Sequence, residues 1–280
     1  MNLYNAVVDC YYGMSGSGKT RAAAAIMSIP EARPVLWFSC DKSQATFLSD
    51  AFAQAFPSDV PYTLDGETIN PAVGQLVDVD TDDEIVDLLK QVRNNTDDAR
   101  IHEFPDGTRR GYRTVVVDNL WTPYAEHRTF QIDQPGIGRS HPDVLGSMDY
   151  QVIQPQTQKA IIHLSKIPPL VEDIDGVTYT VPTNIILTVA ATARAYQPSK
   201  ADMLNPDKEY QHTLGFHDSL ASFIPGRFDR VGFLSAERGG VWKAWFQIRR
   251  INRYGKDRQA ITKVPEIDWN AAEAFRRLNS

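Results

Sequence analysis

The chain has 280 residues, of which 42% are hydrophobic and 10% aromatic, a composition that supports a packed globular core and excludes a disordered or fibrous class. The formal net charge of −6 argues against the chain as a whole being a polyanion binder, and two cysteines, Cys10 and Cys40, are too few for a disulfide-built scaffold. No apolar run is long enough to cross a membrane, and the six histidines show no metal-ligand spacing.

Ala6-Val7-Val8 leads through Cys10-Tyr11-Tyr12 as a first strand. It runs into Gly13-Met14-Ser15-Gly16-Ser17-Gly18-Lys19-Thr20, which fits G-x-x-x-x-G-K-[ST], the phosphate-binding P-loop. The alanine-rich stretch Arg21–Met27 follows as a helix, so the motif has the strand–loop–helix setting it requires. Glycines let successive backbone N–H groups curl round a phosphate, and the helix start aims further amides at the same anion. Lys19 would reach the β- and γ-phosphates and Thr20 would offer its hydroxyl to Mg²⁺. Gly13 to Arg21 are the expected ATP-binding residues. With the motif beginning at residue 13, a leader peptide is not expected, and the paired reading with two reduced core cysteines is a cytoplasmic protein.

Val35-Leu36-Trp37-Phe38 reads as a second buried strand, ending at Ser39. A helix opening at Asp41-Lys42-Ser43 and stopped by Pro57 is expected next, with Asp41 either its N-cap or a catalytic group. Leu76-Val77-Asp78-Val79 is a third strand. Asp80 or Thr81 caps a helix carrying Ile85, Val86, Leu88, Leu89 and Val92 on one side. Residues 94–113 read as a loop with a possible hairpin at Pro105-Asp106-Gly107. Val115-Val116-Val117-Asp118 is a buried strand ending in an acid, which suits a Mg²⁺-holding carboxylate at the C-terminal edge of a sheet.

A polar loop is expected from about Ala125 to Asp143, then a helix from about Tyr150 to Ile167 ended by Pro168-Pro169. Residues 170–182 read as a hairpin turning at Asp175-Gly176. Ile185–Val189 is another buried strand, the region from about Ala193 to His212 is irregular, and Phe228–Ile251 reads as two antiparallel strands around Gly239-Gly240. Buried strands alternating with helices predict an α/β fold: a mainly parallel sheet with helices on both faces and a late antiparallel hairpin. The whole chain reads as one domain, with a tail from about residue 259. Charge is uneven: Asp78–Asp98 holds eight acids and two bases, whereas Arg238–Lys263 holds eight Lys/Arg and one acid, interleaved with Trp242, Trp245, Phe246 and Tyr254.

Taken together, the order of these segments resembles the RecA/DnaB-like ATPases, and among them the phage RecA-like ATPases of single-strand annealing recombination. Phe38-Ser39-Cys40-Asp41-Lys42 resembles the strand end where DnaB-like helicases place a catalytic Glu, here an Asp one methylene shorter. Val117-Asp118-Asn119-Leu120-Trp121 resembles the Mg²⁺ strand, Leu187-Thr188 the strand whose polar end senses the γ-phosphate, and Ile224–Asp229 the entry to the late strands. Tyr254-Gly255-Lys256-Asp257-Arg258 resembles the Lys-x-Arg element that reaches a neighbouring subunit's ATP. Thr188 reads equally as a β-branched core residue, and Lys256 and Arg258 as surface charges.

The resemblance implies a RecA-like fold, ATP and Mg²⁺ as cofactors, hydrolysis stimulated by single-stranded DNA, and self-association as a ring or filament. DNA contact is expected on the segment from about Ala193 to His212 and the loop after Trp121, with Lys200, Lys208, Arg139 and Arg128 supplying charge. A small-molecule phosphotransferase with a lid, or a nucleotide-gated assembly protein with little hydrolysis, are the alternatives.

Overall fold

The computed structural model describes residues 2–46, 48–61, 64–65, 68–134, 145, 147–195, 210–237, 241–247, 254–262 and 265–280. Ten strands of one sheet, numbered in chain order, are β1 (Val8–Gly13), β2 (Val35–Ser39), β3 (Gly74–Asp78), β4 (Thr114–Asp118), β5 (Asn184–Ala195), β6 (Tyr210–Leu214), β7 (Arg230–Ala236), β8 (Trp242–Trp245), β9 (Lys256–Asp257) and β10 (Glu266–Ile267). The spatial order is β10-β8-β7-β1-β5-β4-β2-β3, with β6 on β5 and β9 on β7. The run β7-β1-β5-β4-β2-β3 is parallel throughout, and β6, β8, β9 and β10 join antiparallel. The expected α/β class, parallel core and late hairpin are therefore present.

Why these strands are central follows from their side chains. Val115 and Val117 enter one apolar core while Val116 enters the other; Cys10 and Tyr12 oppose Tyr11, and Leu36 and Phe38 oppose Trp37. This period-2 alternation of apolar groups on both faces demands cover on both faces. One face is covered by α3 (Asp82–Asn94) and α5 (Ser147–Ser165) through Ile85, Leu89, Val92, Ile153, Ile161 and Leu164. The other is covered by α1 (Lys19–Ala24), its 3₁₀ continuation Ala25–Ser28, and α7 (Ala271–Leu278). Each fully buried Phe or Leu in these layers contributes about 1.5–3 kcal/mol.

Several expectations hold in detail. Thr81 caps α3, its hydroxyl accepting from Glu84 N at 3.2 Å. The hairpin at Asp175-Gly176 pairs Leu170–Ile174 with Val177–Val181. A small hairpin also joins Ile101–Glu103 and Arg109–Gly111.

Others are corrected. The α-helix expected from Asp41 opens only at Asp50: a 3₁₀ turn, Ser43–Thr46, intervenes, and Ser49 caps α2 (Asp50–Ala55) by accepting from Phe52 N at 3.2 Å. Asp41 is therefore not the cap of that helix. The polar loop expected from Ala125 is helical over its first part, since α4 spans Trp121–Asp133. Pro123 lies in its first turn, where a missing N–H leaves no helical bond unmade. The stretch after residue 259, expected as a tail, is built into the fold. β10 extends the sheet, and α7 buries Ala271, Ala272, Ala274 and Phe275.

Candidate functional site

β1 delivers the loop Gly13–Thr20 to the C-terminal edge of the sheet. β2 and β4 lie to one side of β1 and β7 to the other, so the sheet's connections diverge at this edge, the usual place for a ligand crevice in an open α/β sheet. Gly16 has φ of 75° and Gly18 has φ of 85°, left-handed values that a side chain would strain. Gly13 is required for space: a Cβ there would come within 2.5 Å of Leu234 O. Beyond Gly18, α1 begins at Lys19 and offers its free N–H groups to the same side.

A cavity of about 500 Å³ opens over this loop, lined by Ser15, Gly16, Lys19, Thr20, Asp41 and Asn119 among others. The Lys19 ammonium donates to Gly13 O and Met14 O, both at 3.0 Å. Burial pushes it below the usual lysine range, and the Asp118 and Asp41 carboxylates pull it back up. Ser17 Oγ is buried with no partner among the described residues, a polar group placed under the loop. These features fit a polyphosphate: backbone amides and a fixed cation converge on one concavity, with Ser15 and Thr20 on its wall.

Asp118 ends β4 and is fully buried. β5 separates its strand from β1, so the acid faces the loop across an inserted strand. That strand carries Thr188, level with Tyr11 of β1, and the Thr188 hydroxyl donates to Asp118 Oδ1. Thr188 therefore holds the carboxylate, whichever further role it has. The next peptide bond, Asp118–Asn119, is cis. Asn119 Oδ1 accepts from Ala190 N at 2.9 Å, which ties the turn leading from β4 into α4 to the neighbouring strand β5.

Asp41 lies two residues past the end of β2, exposed at the cavity wall. Ser39 pairs with Asp118 in register, which brings the two acid-bearing strand ends side by side. Cys40 between them is buried, and burial with the surrounding carboxylates keeps its thiol protonated and unreactive. The donor set for Mg²⁺ would be Thr20 and Asp118, with phosphate oxygens and water completing the shell. Among the described residues no three His, Cys, Asp or Glu side chains cluster as a metal site.

Lys256 and Arg258 are not at this cavity. Lys256 Nζ donates to Phe228 O at 2.7 Å and to Pro225 O at 2.5 Å, inside its own chain. Arg258, half exposed, pairs with Asp229 at 2.7 Å. Arg128 is exposed on α4, whereas Arg139, Lys200 and Lys208 lie outside the described residues. Sequence reasoning missed Trp242, Thr46 and Thr122 as cavity residues. Trp242 belongs to the basic, aromatic run of the sequence; its place beside the loop depends on β7, which carries β8, pairing with β1.

Compared with known proteins, the chain matches no family model and no curated protein. Among the described residues no helix is long and apolar enough to cross a membrane.

Asp118→Asn keeps the shape and can still accept from Thr188, but it loses the charge. Phosphate release is expected to need much higher Mg²⁺ and to fall at least tenfold, with little change in melting temperature. A large drop in melting temperature with unchanged Mg²⁺ dependence would make Asp118 a structural acid.

Proposed function

We propose that the chain is a Mg²⁺-dependent, RecA-like ATPase that acts on single-stranded DNA and works as a ring or filament. The observation that supports this best is the convergence of the loop, Lys19, Thr20 and Asp41 on one cavity, with Asp118 behind Lys19. The strand order supports the RecA-like reading, because an inserted strand with a polar residue separates the P-loop strand from the acid-bearing strand.

In this reading the loop amides and Lys19 hold the β- and γ-phosphates, and Thr20 and Asp118 hold the metal ion. The metal, when bound, neutralises charge on the phosphates. Asp41 orients the attacking water and takes its proton as the water oxygen bonds to the γ-phosphorus and the bridging oxygen leaves with ADP. Thr188 keeps Asp118 in place. The arms of β5 and β6 pair from Ala191–Leu214 to Ala195–Tyr210, so β5 runs five residues past Ala190, the partner of Gly13. Residues 196–209, most of the segment expected to contact DNA, lie outside the described residues. Arg128, expected on a loop that contacts DNA, lies on α4.

Lys19→Ala tests the core of this reading. Isothermal titration with a non-hydrolysable ATP analogue is expected to show a loss of about ten- to a hundredfold in affinity, the size of a hydrogen bond to a charged group. Phosphate release, with or without single-stranded DNA, is expected to stop. Unchanged binding in a folded variant would overturn the assignment. DNA stimulation in the wild type is expected to fall steeply with salt.

A further inference from the structure

The cavity has two ends, and the chemistry above uses one of them. Asp41, Asn119 and Trp121 line it on the side of β2 and β4; Gly18, Arg21 and Trp242 line it on the side of β7 and β8. At this second end three side chains form a stacked column. The Arg21 guanidinium lies 4.4 Å from the Trp242 ring centroid and 4.8 Å from that of Phe56. The indole is pressed against the loop itself, since a Cβ on Gly18 would sit 2.6 Å from Trp242 Cδ1. Its Nε1 is buried without a partner among the described residues. Pairing of Trp242 with Ala236 of β7, and a bond from Asp268 N to Trp242 O at 2.8 Å, fix the residue's backbone in this place.

The indole N–H is a single donor at the ring's edge, while most of the side chain is a flat apolar face, and such a face on a phosphate cavity calls for a flat, apolar ligand group. The direction of the ligand follows from the acids. With its terminal phosphate toward Asp118 and Asp41, a nucleotide leaves the loop on the opposite side, where Trp242 stands. We infer that Trp242 is the stacking platform for the base of the bound nucleoside triphosphate, an assignment that rests on the ATP reading above. Arg21 backs the platform through its cation–π contact, so it acts on the base through the indole as well as lying near the phosphates.

The test compares two ligands that share phosphates and differ in the base: a non-hydrolysable ATP analogue and inorganic tripolyphosphate, each titrated calorimetrically with Mg²⁺. Trp242→Leu keeps apolar bulk and loses the aromatic face; Trp242→Tyr keeps a face. For Trp242→Leu, analogue affinity is expected to fall about tenfold or more while tripolyphosphate affinity stays put, the loss typical of one base–aromatic stack. Trp242→Tyr is expected to recover most of that loss. Equal losses for both ligands, or no loss for the analogue, would overturn the platform while leaving the P-loop reading intact. A wild-type protein that binds neither ligand would remove the ATP reading, and the platform with it.

Discussion

Arg258→Ala is expected to bind ATP as the wild type does and to hydrolyse it about 10³–10⁵ times more slowly, the contribution of an arginine supplied to the transferring phosphoryl group. The sheet register decides where such an arginine can act. Arg258 N bonds to Asp229 O, whereas Gly13 is level with Leu234, five residues further along the same stretch of chain. At the usual rise per residue that is about 16 Å, at the opposite edge of the sheet from the chain's own P-loop. The residue is therefore too far to reach its own chain's P-loop, so the expected slowing requires a second copy to receive it. Its bond to Asp229 is no obstacle, because an exposed ion pair contributes about 0–1 kcal/mol and is readily exchanged for a phosphoryl group. Lys256, tied to two carbonyl oxygens, stays behind to anchor the segment. Two measurements check this. Specific activity is expected to rise with protein concentration, and mixing Arg258→Ala with Lys19→Ala subunits is expected to restore activity. Flat activity through the monomer range, with no rescue on mixing, would return Arg258 to ordinary surface charge.

Asp41→Asn is expected to keep nucleotide binding and to lose about 10²–10⁴ in turnover, as removal of a general base does. Ser49 and not Asp41 caps α2, so the cap of that helix does not depend on Asp41. The side chain sits at the cavity wall close enough to Lys19 to favour its charged form. A one-methylene-shorter acid predicts slow basal hydrolysis in the wild type, and Asp41→Glu is the informative companion. Single-turnover phosphate release separates binding from chemistry; wild-type rates in Asp41→Asn would assign the base elsewhere.

Local signals made the phosphate loop, the acid at the end of β4, the α3 cap and the two small hairpins legible, because each is written in neighbouring residues. Glycine spacing, four β-formers before Asp118 and Thr81 three residues ahead of Glu84 are all short-range patterns. What the sequence hid has a common cause in long-range pairing. Trp242 reaches Gly18 because β7 pairs with β1, far away in sequence; the β7–β8 hairpin that carries it is local, but the hairpin alone does not say which strand it lies beside. α4 was hidden for another reason: of its residues only Pro123 and Tyr124 are buried, so no apolar period marks it. The helix start near Asp41 was misplaced because Asp41 and Ser49 are both good caps, and only packing of Phe52 into the core chooses between them. The bond from Thr188 to Asp118 joins residues 70 apart in sequence and leaves no local trace.

The last helix has a consequence for the first. α7 packs Ala271, Ala272, Ala274 and Phe275 in one core with the four alanines Ala22–Ala25, Ile26 and Met27, which belong to the helix that starts at Lys19 and its 3₁₀ continuation. Alanine on alanine lets the two backbones come close, and such a seam has no slack for an added methylene. The phosphate loop is thus seated on the chain's far end. On the ATP reading proposed above, nucleotide affinity becomes a remote gauge of how well that seam is closed, so a bulkier residue at Ala274, touching no ligand, is expected to be felt at Lys19.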